Sequence, residues 1–356
     1  MRVLAVTNMY PSPADPVYGS FVARQVRSLV TTGAEVEVLF VDGRRGSWAY
    51  LAAVGRILAA LRRGRFDVVH AHYGLTGFFA GFHRHPLVVS FCGDDLMGTP
   101  DGRGGTLFVS RVARRLSWLA ARRADAIICK SEGLRRALRR KTDRDRAHVI
   151  GNGLDVTLFR PGDRRGARER LGLLLTERIV LFPHSRQQAA VKRLALAEAA
   201  IAELRERGVE ARLWVVNGVA PDDMPDYYRA ADCLLLTSEH EGSPNTVKEA
   251  LACDLPVVST DVGDVRRWVD HADGCRLVSP DTKSVADGLI EVLSGRPHVD
   301  GSKVREILGG TAVAKAVLMA YDEAMAARAA PGRTSGSGGA RAAMADRRIG
   351  RMGEDA

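Results

Sequence analysis

Short apolar runs alternate with amphipathic segments over the first 130 residues. Runs rich in branched and aromatic side chains predict strands, and apolar positions recurring every three or four residues predict helices. The predicted strands span residues 3–7, 35–41, 67–71, 87–91 and 126–129, and the predicted helices span 20–31, 48–61 and 107–123. Strictly alternating strands and helices are typical of a parallel sheet covered by helices.

The same alternation restarts after a turn-rich connector at residues 151–163, which is rich in Gly, Asn, Asp and Pro. Its predicted strands span 179–183, 211–216, 233–237 and 256–260, and its helices span 194–207, 225–230, 244–252 and 283–293. We therefore predict an α/β protein with two Rossmann-like parallel-sheet domains facing a cleft. Ligands of such sheets bind at the carboxyl ends of the strands.

The predicted domains are residues 1–155 and residues 156–310. A helix over 311–330 would pack back on the first domain, and the tail at 331–356, rich in Gly, Ser, Ala and Arg, is expected to be disordered.

Composition favours a cytoplasmic protein. The chain has 356 residues, of which 46% are hydrophobic, but it has no apolar stretch long enough to cross a membrane. The apolar start is too short for a signal peptide. Five scattered cysteines with no CxxC pair argue against disulfides or a zinc site.

Positive charge is concentrated in the first part of the chain. The net charge is +10, and residues 1–160 hold 25 Lys and Arg against 13 Asp and Glu. The basic amphipathic helix at 107–123 suits peripheral contact with an anionic membrane. The alternative is an arginine-rich solvated face. No nucleic-acid-reading motif accompanies it, so nucleic acid is not expected as a partner.

The most informative segment runs from Glu241 to Glu249. Ser243 is a good N-cap and Pro244 suits the first helical position, so Glu241 should lie in the preceding loop. Glu249 should lie about two turns inside, on the same side. Free N–H groups at the helix start can bind phosphate. The segment therefore predicts a sugar-nucleotide site; the plain alternative is a capped surface helix.

Cations accompany this segment, whereas metal ligands do not. Arg186 follows a predicted strand and Lys192 opens a helix, which suits a diphosphate held without a metal. Asp143-Arg144-Asp145 has the form of a DxD motif, but its charged surroundings predict a solvated turn. We expect no metal and no cofactor.

At this point the chain resembles family 4 of the retaining nucleotide-sugar glycosyltransferases, which have the GT-B architecture. The resemblance covers roughly residues 1–325. Its motifs are Tyr18-Gly19-Ser20-Phe21-Val22, His70-Ala71-His72, Cys92-Gly93-Asp94-Asp95, Gly151-Asn152-Gly153-Leu154-Asp155, Arg186 with Lys192, and the segment from Glu241 to Glu249.

The resemblance implies a role for each matching residue. Arg186 and Lys192 would stabilise the leaving diphosphate, and Glu241 would contact the transferred sugar, so these three are the catalytic candidates. Glu249 would bind the ribose. The remaining donor contacts would be Gly19, Gly242, Ser243, Pro244, Asn245 and Thr246. The acceptor or sugar would contact Asp94, Cys92 and His72.

Two features depart from the family pattern. Cys92 stands where many members have histidine, and a thiol is a weaker hydrogen-bond donor. A role that requires imidazole is then absent or moves to His70, His72 or His184. Arg186 and Lys192 are also one position further apart than is usual in the family.

The predicted function is a retaining glycosyltransferase that moves a sugar from a nucleotide-sugar donor to an acceptor hydroxyl. The acceptor would be a polysaccharide, a lipid-linked sugar or glycolipid, or a small metabolite. Two alternatives remain open: another GT-B enzyme such as a sugar-nucleotide 2-epimerase, and a non-catalytic scaffold at the membrane.

Overall fold

The computed structural model describes residues 1–98, 107–184, 189–270, 272–295 and 297–330. It contains two parallel sheets, one of six strands and one of five. The predicted fold class, two Rossmann-like domains, is confirmed. The predicted tail at 331–356 and the loop at 99–106 lie outside the described residues.

The first sheet has the strand order β2-β1-β3-β4-β5-β6. Its strands are β1 Arg2–Thr7, β2 Glu35–Phe40, β3 Val68–His72, β4 Leu87–Phe91, β5 Ala126–Cys129 and β6 Ala147–Val149. Its helices are α1 Ser20–Thr31, α2 Trp48–Arg63, α3 Gly74–Ala80, α4 Asp94–Met97, α5 Phe108–Arg123, α6 Glu132–Ala137 and α7 Lys141–Asp145, with a 3-10 turn at Gly43–Arg45. β3, β4 and β5 are buried along their whole length, since helices cover both faces of the sheet.

The second sheet has the order β11-β10-β9-β7-β8. Its strands are β7 Ile179–Pro183, β8 Arg212–Val216, β9 Cys233–Leu236, β10 Val257–Thr260 and β11 Arg276–Val278. The helices of this half are α8 Arg164–Arg170, α9 Ala189–Lys192, α10 Leu194–Glu206, α11 Met224–Ala230, α12 Asn245–Ala252, α13 Val265–Val269, α14 Thr282–Gly295, α15 Ser302–Leu308 and α16 Gly310–Ala329.

The last helix, α16, lies against the first sheet. The buried Tyr321 hydroxyl is 2.7 Å from Nδ1 of His70 on β3, and Glu323 pairs with His148 of β6 at 2.9 Å. Arg328 donates to the backbone oxygen of Arg84. The chain therefore crosses between the sheets twice. The crossings lie side by side, because the Leu154 N–H donates to the Leu308 carbonyl at 2.7 Å.

The predicted DxD turn at Asp143 is wrong. Residues 141–145 form α7, and Asp143 is buried with its carboxylate 2.9 Å from the Arg146 guanidinium. The i,i+3 ion pair with Arg146, which forms only once these residues are helical, makes the expected solvated carboxylate a structural one.

Gly19 precedes α1 in a conformation that only glycine tolerates well. Its φ is +71°, and a Cβ there would lie 2.3 Å from the backbone carbonyl carbon of Met9. The missing side chain therefore allows the loop after β1 to pack on the start of α1. A direct approach of Gly19 to a donor stays a prediction.

We expect Gly19→Ala to destabilise the protein far more than Gly33→Ala. Gly33 also has positive φ, at +92°, but a Cβ there meets nothing within 4 Å. Gly33→Ala should cost about 1–2 kcal/mol, the price of the left-handed conformation, and Gly19→Ala should add a backbone collision. Urea unfolding of both variants measures the difference. Equal losses would show that the Met9 contact is unimportant.

Candidate active site

Loops at the carboxyl ends of the two sheets meet in one cleft. Cys92 and Gly93 follow β4, and Gly242 follows β9 in the other half. A Cβ on Gly242 would lie 3.0 Å from both the Cys92 carbonyl oxygen and the Gly93 Cα. The two halves are therefore in close backbone contact at the predicted Gly242 position, where any larger residue would require the Cys92–Gly93 backbone to shift.

The catalytic candidates Lys192 and Glu241 are brought together. Lys192 Nζ lies 2.7 Å from Glu241 Oε1, which also accepts a hydrogen bond from Ser238 Oγ at 2.8 Å. Both side chains are largely buried, with 9% and 14% exposure. The Thr237 hydroxyl donates to the Lys192 carbonyl at 2.8 Å and fixes the end of α9. The third candidate, Arg186, lies outside the described residues.

Asp94 faces this pair from the first half. It opens α4, is half exposed, and its Oδ1 lies 3.9 Å from Nε2 of His240. Burial raises the pKa of the Asp94 carboxyl, His240 lowers it, and the negative charge of Glu241 raises it further. The Asp94 carboxylate of the first half therefore lies within electrostatic reach of His240 and Glu241 of the second.

The neighbouring Asp95 shapes the loop. Its buried carboxylate accepts from the backbone N–H groups of Gly74 and Cys92, both at 3.1 Å, and of Gly93 at 2.8 Å. Burial raises its pKa to about 6, although these three hydrogen bonds oppose the rise. Of two adjacent aspartates, one is therefore structural and the other reaches the cleft.

Neither Cys92 nor His72 carries charge at neutral pH. The Cys92 thiol lies 3.7 Å from the Ser90 carbonyl, and burial raises its pKa to about 12. Burial, followed by the charge of Lys130, lowers the pKa of His72 to about 3. Cys92 is thus no thiolate, and His72 offers a neutral imidazole. The predicted acceptor contact of either side chain stays a prediction.

His70 is held by the protein. Its Nδ1 lies 2.7 Å from the Tyr321 hydroxyl and its Nε2 lies 2.8 Å from Ser90 Oγ. Its ring packs against His72 with centroids 4.2 Å apart. His72, with Nδ1 unpartnered among the described residues, is the member of the pair with hydrogen-bonding capacity left.

The predicted N-cap at Ser243, with Pro244 as the first helical residue, is one residue too early. α12 begins at Asn245 with Pro244 at the N-cap position, and no side chain caps it. Ser243 Oγ instead donates to Asp264 Oδ2 at 2.9 Å and contacts the ammonium of Lys248. Lys248 is fully buried and lies 3.1 Å from Asp264. Because a buried charge needs polar partners, Ser243 binds this ion pair and does not cap the helix.

Glu249 is buried rather than open to the cleft. Its Oε2 accepts from the Tyr228 hydroxyl at 2.9 Å, and its Oε1 lies 2.8 Å from Arg24 Nη1. Arg24 belongs to α1, so this ion pair links the two halves. Ribose binding by Glu249 stays a prediction, and in the structure its carboxylate already holds two protein groups.

Several buried polar atoms around the cleft have no hydrogen-bond partner among the described residues. These are Asn8 Oδ1, Arg24 Nε, Gln25 Nε2, His72 Nδ1, Asn152 Oδ1, His184 Nδ1 and Thr246 Oγ1. Buried polar groups are usually paired. Those that lie beside strand ends and the α12 start are positioned to bind a polar ligand in the cleft.

Sequence reasoning missed several of these groups. Asn8 follows β1 directly, which is a position that parallel sheets use for ligands. Asn152 lay within a quoted motif but was given no role; its Nδ2 donates to Asn245 Oδ1 at 3.0 Å. Nothing in the sequence pointed to Arg24 and Gln25 as site residues, because the residue pattern of α1 is that of an ordinary amphipathic helix.

Lys130 is a further missed group. It follows β5, is 1% exposed, and its Nζ donates to Gln25 Oε1 at 3.1 Å. Burial lowers its pKa, and its charge acts on both His70 and His72. Burial is the main reason that the paired histidines stay neutral, and the charge of Lys130 adds to it.

A large cavity lies away from the cleft. It is bounded by Arg178, Arg212 and Asp232 at the amino ends of the second sheet's strands. No site residue borders it. Within the described ranges, no group of three His, Cys, Asp or Glu side chains is placed to hold a metal ion.

Two family models match the chain in succession. The model described as Glycosyltransferase Family 4 matches residues 2–158, and the one described as Glycosyl transferases group 1 matches residues 180–295. The chain belongs to the family 4 glycosyltransferases. Together the two matches span both sheets and the Glu241–Glu249 segment.

Known relatives agree with this assignment. The chain is 29% identical to the D-inositol 3-phosphate glycosyltransferase of Mycobacterium tuberculosis over 248 residues, which is 60% of this chain and 51% of the relative. The same figures hold for that of Mycobacterium bovis. The chain thus spans about half the length of the curated relatives it matches.

Solved structures share the fold. Sucrose-phosphate synthase from Thermosynechococcus elongatus has a TM-score of 0.75 at 17% identity, covering 92% of this chain and all of that one. HepE from Anabaena, in complex with UDP-glucose, has a TM-score of 0.65 at 18% identity, covering 90% of this chain and 99% of that one. At these identities the likeness shows the GT-B fold alone.

None of the helices in the described part of the family 4 chain is both long and apolar enough to cross a bilayer.

Breaking the Arg24–Glu249 pair should destabilise the enzyme strongly. Both side chains are only 8% exposed, and removing one partner of a buried pair costs about 3–5 kcal/mol. Arg24→Met and Glu249→Gln should each lose that much in urea unfolding, and the double variant should lose less than their sum. The exposed pair Arg165–Glu169 is the matched control, and Arg165→Met should change little. Strict additivity at Arg24 and Glu249 would contradict the coupling.

Acidification should destabilise the fold partly through His72. Its folded pKa, about 3, is far below the ordinary value of 6.5. Between these two pH values His72 is protonated in the unfolded chain but not in the folded chain. The free energy of unfolding therefore decreases as the pH falls from about 6.5 towards 3. This one group should contribute about 1.4 kcal/mol per pH unit.

Urea unfolding at about pH 7.5, 6.0 and 5.0 measures this slope. His72→Gln should flatten it, whereas the exposed His298→Gln should not. Asp95 has a raised pKa, so its protonation stabilises the fold as the pH falls, and this residue is present in both variants. An unaltered slope in His72→Gln would contradict a neutral His72.

Proposed function

We propose that this family 4 chain is a retaining glycosyltransferase that moves a sugar from a nucleotide-sugar donor to an acceptor hydroxyl without a metal ion. The observation that carries the proposal is the Lys192–Glu241 pair at 2.7 Å, beside which Asp94 of the first half lies 3.9 Å from His240, the residue before Glu241. A cation and carboxylates from the two halves therefore converge in the cleft.

The donor diphosphate would bind between Lys192 and the start of α12. That helix has no side-chain cap, so backbone N–H groups at Asn245 and Thr246 are available to an anion. Arg186 would add a second cation. These charges stabilise the diphosphate as the glycosidic bond breaks, which is the role that a metal ion plays elsewhere. The complex of HepE with UDP-glucose, on the same fold, makes UDP-sugars the first donors to test.

Retention follows if the acceptor attacks from the face that the leaving group vacates. The acceptor oxygen bonds to the anomeric carbon, the bond from that carbon to the phosphate oxygen breaks, and this oxygen takes the acceptor proton. No protein nucleophile is needed. The neutral Cys92 thiol is consistent with such a path, and Glu241 would hold the sugar hydroxyls while keeping Lys192 in place.

The acceptor would enter from the first half, beside Asp94, Cys92 and His72. Its class remains a polysaccharide, a glycolipid or lipid-linked sugar, or a small metabolite such as the inositol phosphate named for the mycobacterial relatives. The basic charge of the first half supports peripheral contact with an anionic membrane at its cytoplasmic face. The family match does not favour a 2-epimerase or a scaffold.

Thermal unfolding with UDP-, GDP-, ADP- and TDP-sugars, all in EDTA, tests donor binding. One nucleotide class should stabilise the protein, by about 2.7 kcal/mol at a hundred times Kd. Lys192→Gln should weaken this binding at least roughly tenfold, since it removes a charge-assisted contact. Lys141→Gln is the matched control, because Lys141 makes an exposed pair with Asp145 at 2.9 Å.

Stabilisation that requires a divalent metal would contradict the metal-independent proposal. Equal donor binding by Lys192→Gln and the wild type would remove Lys192 from the site. Once an acceptor is found, NMR of the product should show the anomeric configuration of the donor, and inversion would exclude the retaining path.

A further inference from the structure

The solvent face of α5 is entirely apolar or basic. α5 contains no acidic residue. Phe108 and Val109 are 70% and 78% exposed, and Val112 and Leu119 are also exposed. The exposed basic residues of the helix are Arg111, Arg115, Arg122 and Arg123. Positions 108, 112, 115, 119 and 122 recur every three or four residues, so they form one stripe along the helix.

A pocket of arginines adjoins this stripe. Arg115 and Arg122 of α5 face Arg139 and Arg140 of the segment between α6 and α7, around Trp118 and Leu119. The Arg139 guanidinium lies 5.7 Å from the centre of the Trp118 ring. This group of four arginines is called the arginine pocket.

The positive charge of the arginine pocket is not balanced by nearby carboxylates. Its one acidic lining residue, Asp143, already pairs with Arg146 at 2.9 Å. Within the described ranges, none of the four arginines has a carboxylate partner. Clustered guanidinium groups repel each other, and they match the geometry of phosphate oxygens. The chemistry that the pocket suits is therefore a phosphate anion.

The α5 face carries most of its exposed apolar side chains near the start of the helix, and its arginines extend into the last turn. Phe108 and Arg122 are separated by about 21 Å, from fourteen residues at about 1.5 Å each. α4, which carries the cleft residue Asp94, packs against α5, and the Arg114 guanidinium donates to the Met97 carbonyl at 3.5 Å. A surface with exposed bulky apolar groups and flanking arginines is typical of helices that lie in a membrane interface.

We propose that the α5 face docks on an anionic membrane, with the arginine pocket binding the phosphates of lipid headgroups and Phe108, Val109 and Val112 entering the acyl boundary. This would place the cleft beside the bilayer, where a lipid-linked acceptor is available. That acceptor assignment rests on the proposed glycosyl transfer, whereas the docking itself does not. A nucleic acid would not account for two apolar side chains that are more than two-thirds exposed.

Flotation of the full chain with vesicles tests the docking. Vesicles of phosphatidylcholine containing phosphatidylglycerol should carry the protein at low salt, and less so at high salt. Vesicles of phosphatidylcholine alone should not. Arg115→Gln with Arg140→Gln should weaken binding roughly fivefold for each arginine removed, and Val109→Asp should weaken it further.

Matched variants separate a specific face from a general effect. Arg62→Gln with Arg63→Gln removes the same charge from exposed positions at the end of α2, and Leu174→Asp changes an exposed leucine of the other half. Both should bind anionic vesicles like the wild type. Stabilisation by UDP-glucose should be unchanged in every docking variant, so failure to dock is distinguishable from failure to bind donor.

Three results would overturn the docking proposal. The first is equal binding to neutral and anionic vesicles. The second is an equal loss in the matched variants. The third is tight binding to an RNA or DNA oligonucleotide that Arg115→Gln with Arg140→Gln abolishes, together with no binding to vesicles.

Discussion

The buried ion pair between Arg24 and Glu249 is the contact on which the arrangement of the two halves depends. It joins α1 of the first half to α12 of the second at 2.8 Å. The same helix α12 approaches the Asn152 junction through Asn245, and the loop before it touches Gly93. The segment expected to bind the donor therefore also holds the cleft together. Substitutions in it change both stability and binding, and only measurements that separate the two are informative.

Charge in the interior determines which groups can do chemistry. Lys130 and Lys248 are buried, and both have lowered pKa values because burial penalises their ammonium groups. Burial lowers the pKa values of His70 and His72 as well, and the positive charge of Lys130 lowers them further. The cleft thus presents a neutral thiol at Cys92 and neutral imidazoles at His70 and His72, and the pKa of the neighbouring Asp95 carboxyl is nearer neutral pH, at about 6.

Most of the fold could be predicted from the sequence, because strands buried on both faces and amphipathic helices leave strong patterns. The bounds of α1, β4 and β5 were right to the residue. β6 and β11 were missed because three-residue strands have no readable period. At the site, the family resemblance assigned Lys192 and Glu241 to one donor, but their ion pair was not predicted. The contact between Ser243 and Lys248 and the ion pair between Glu249 and Arg24 could not be predicted. Both depend on residues that are distant in the sequence or that are buried by tertiary packing.

The contact between α16 and the first sheet has a consequence for synthesis of the chain. His70 and Tyr321 are 251 positions apart, yet they share a buried hydrogen bond. During translation, β3 and its neighbours leave the ribosome long before the helix that covers them. One face of the first sheet therefore stays incompletely covered while the entire second half is synthesised. We therefore expect chaperones to bind a nascent chain of this enzyme more than they would bind a domain whose sheet is fully covered by its own helices.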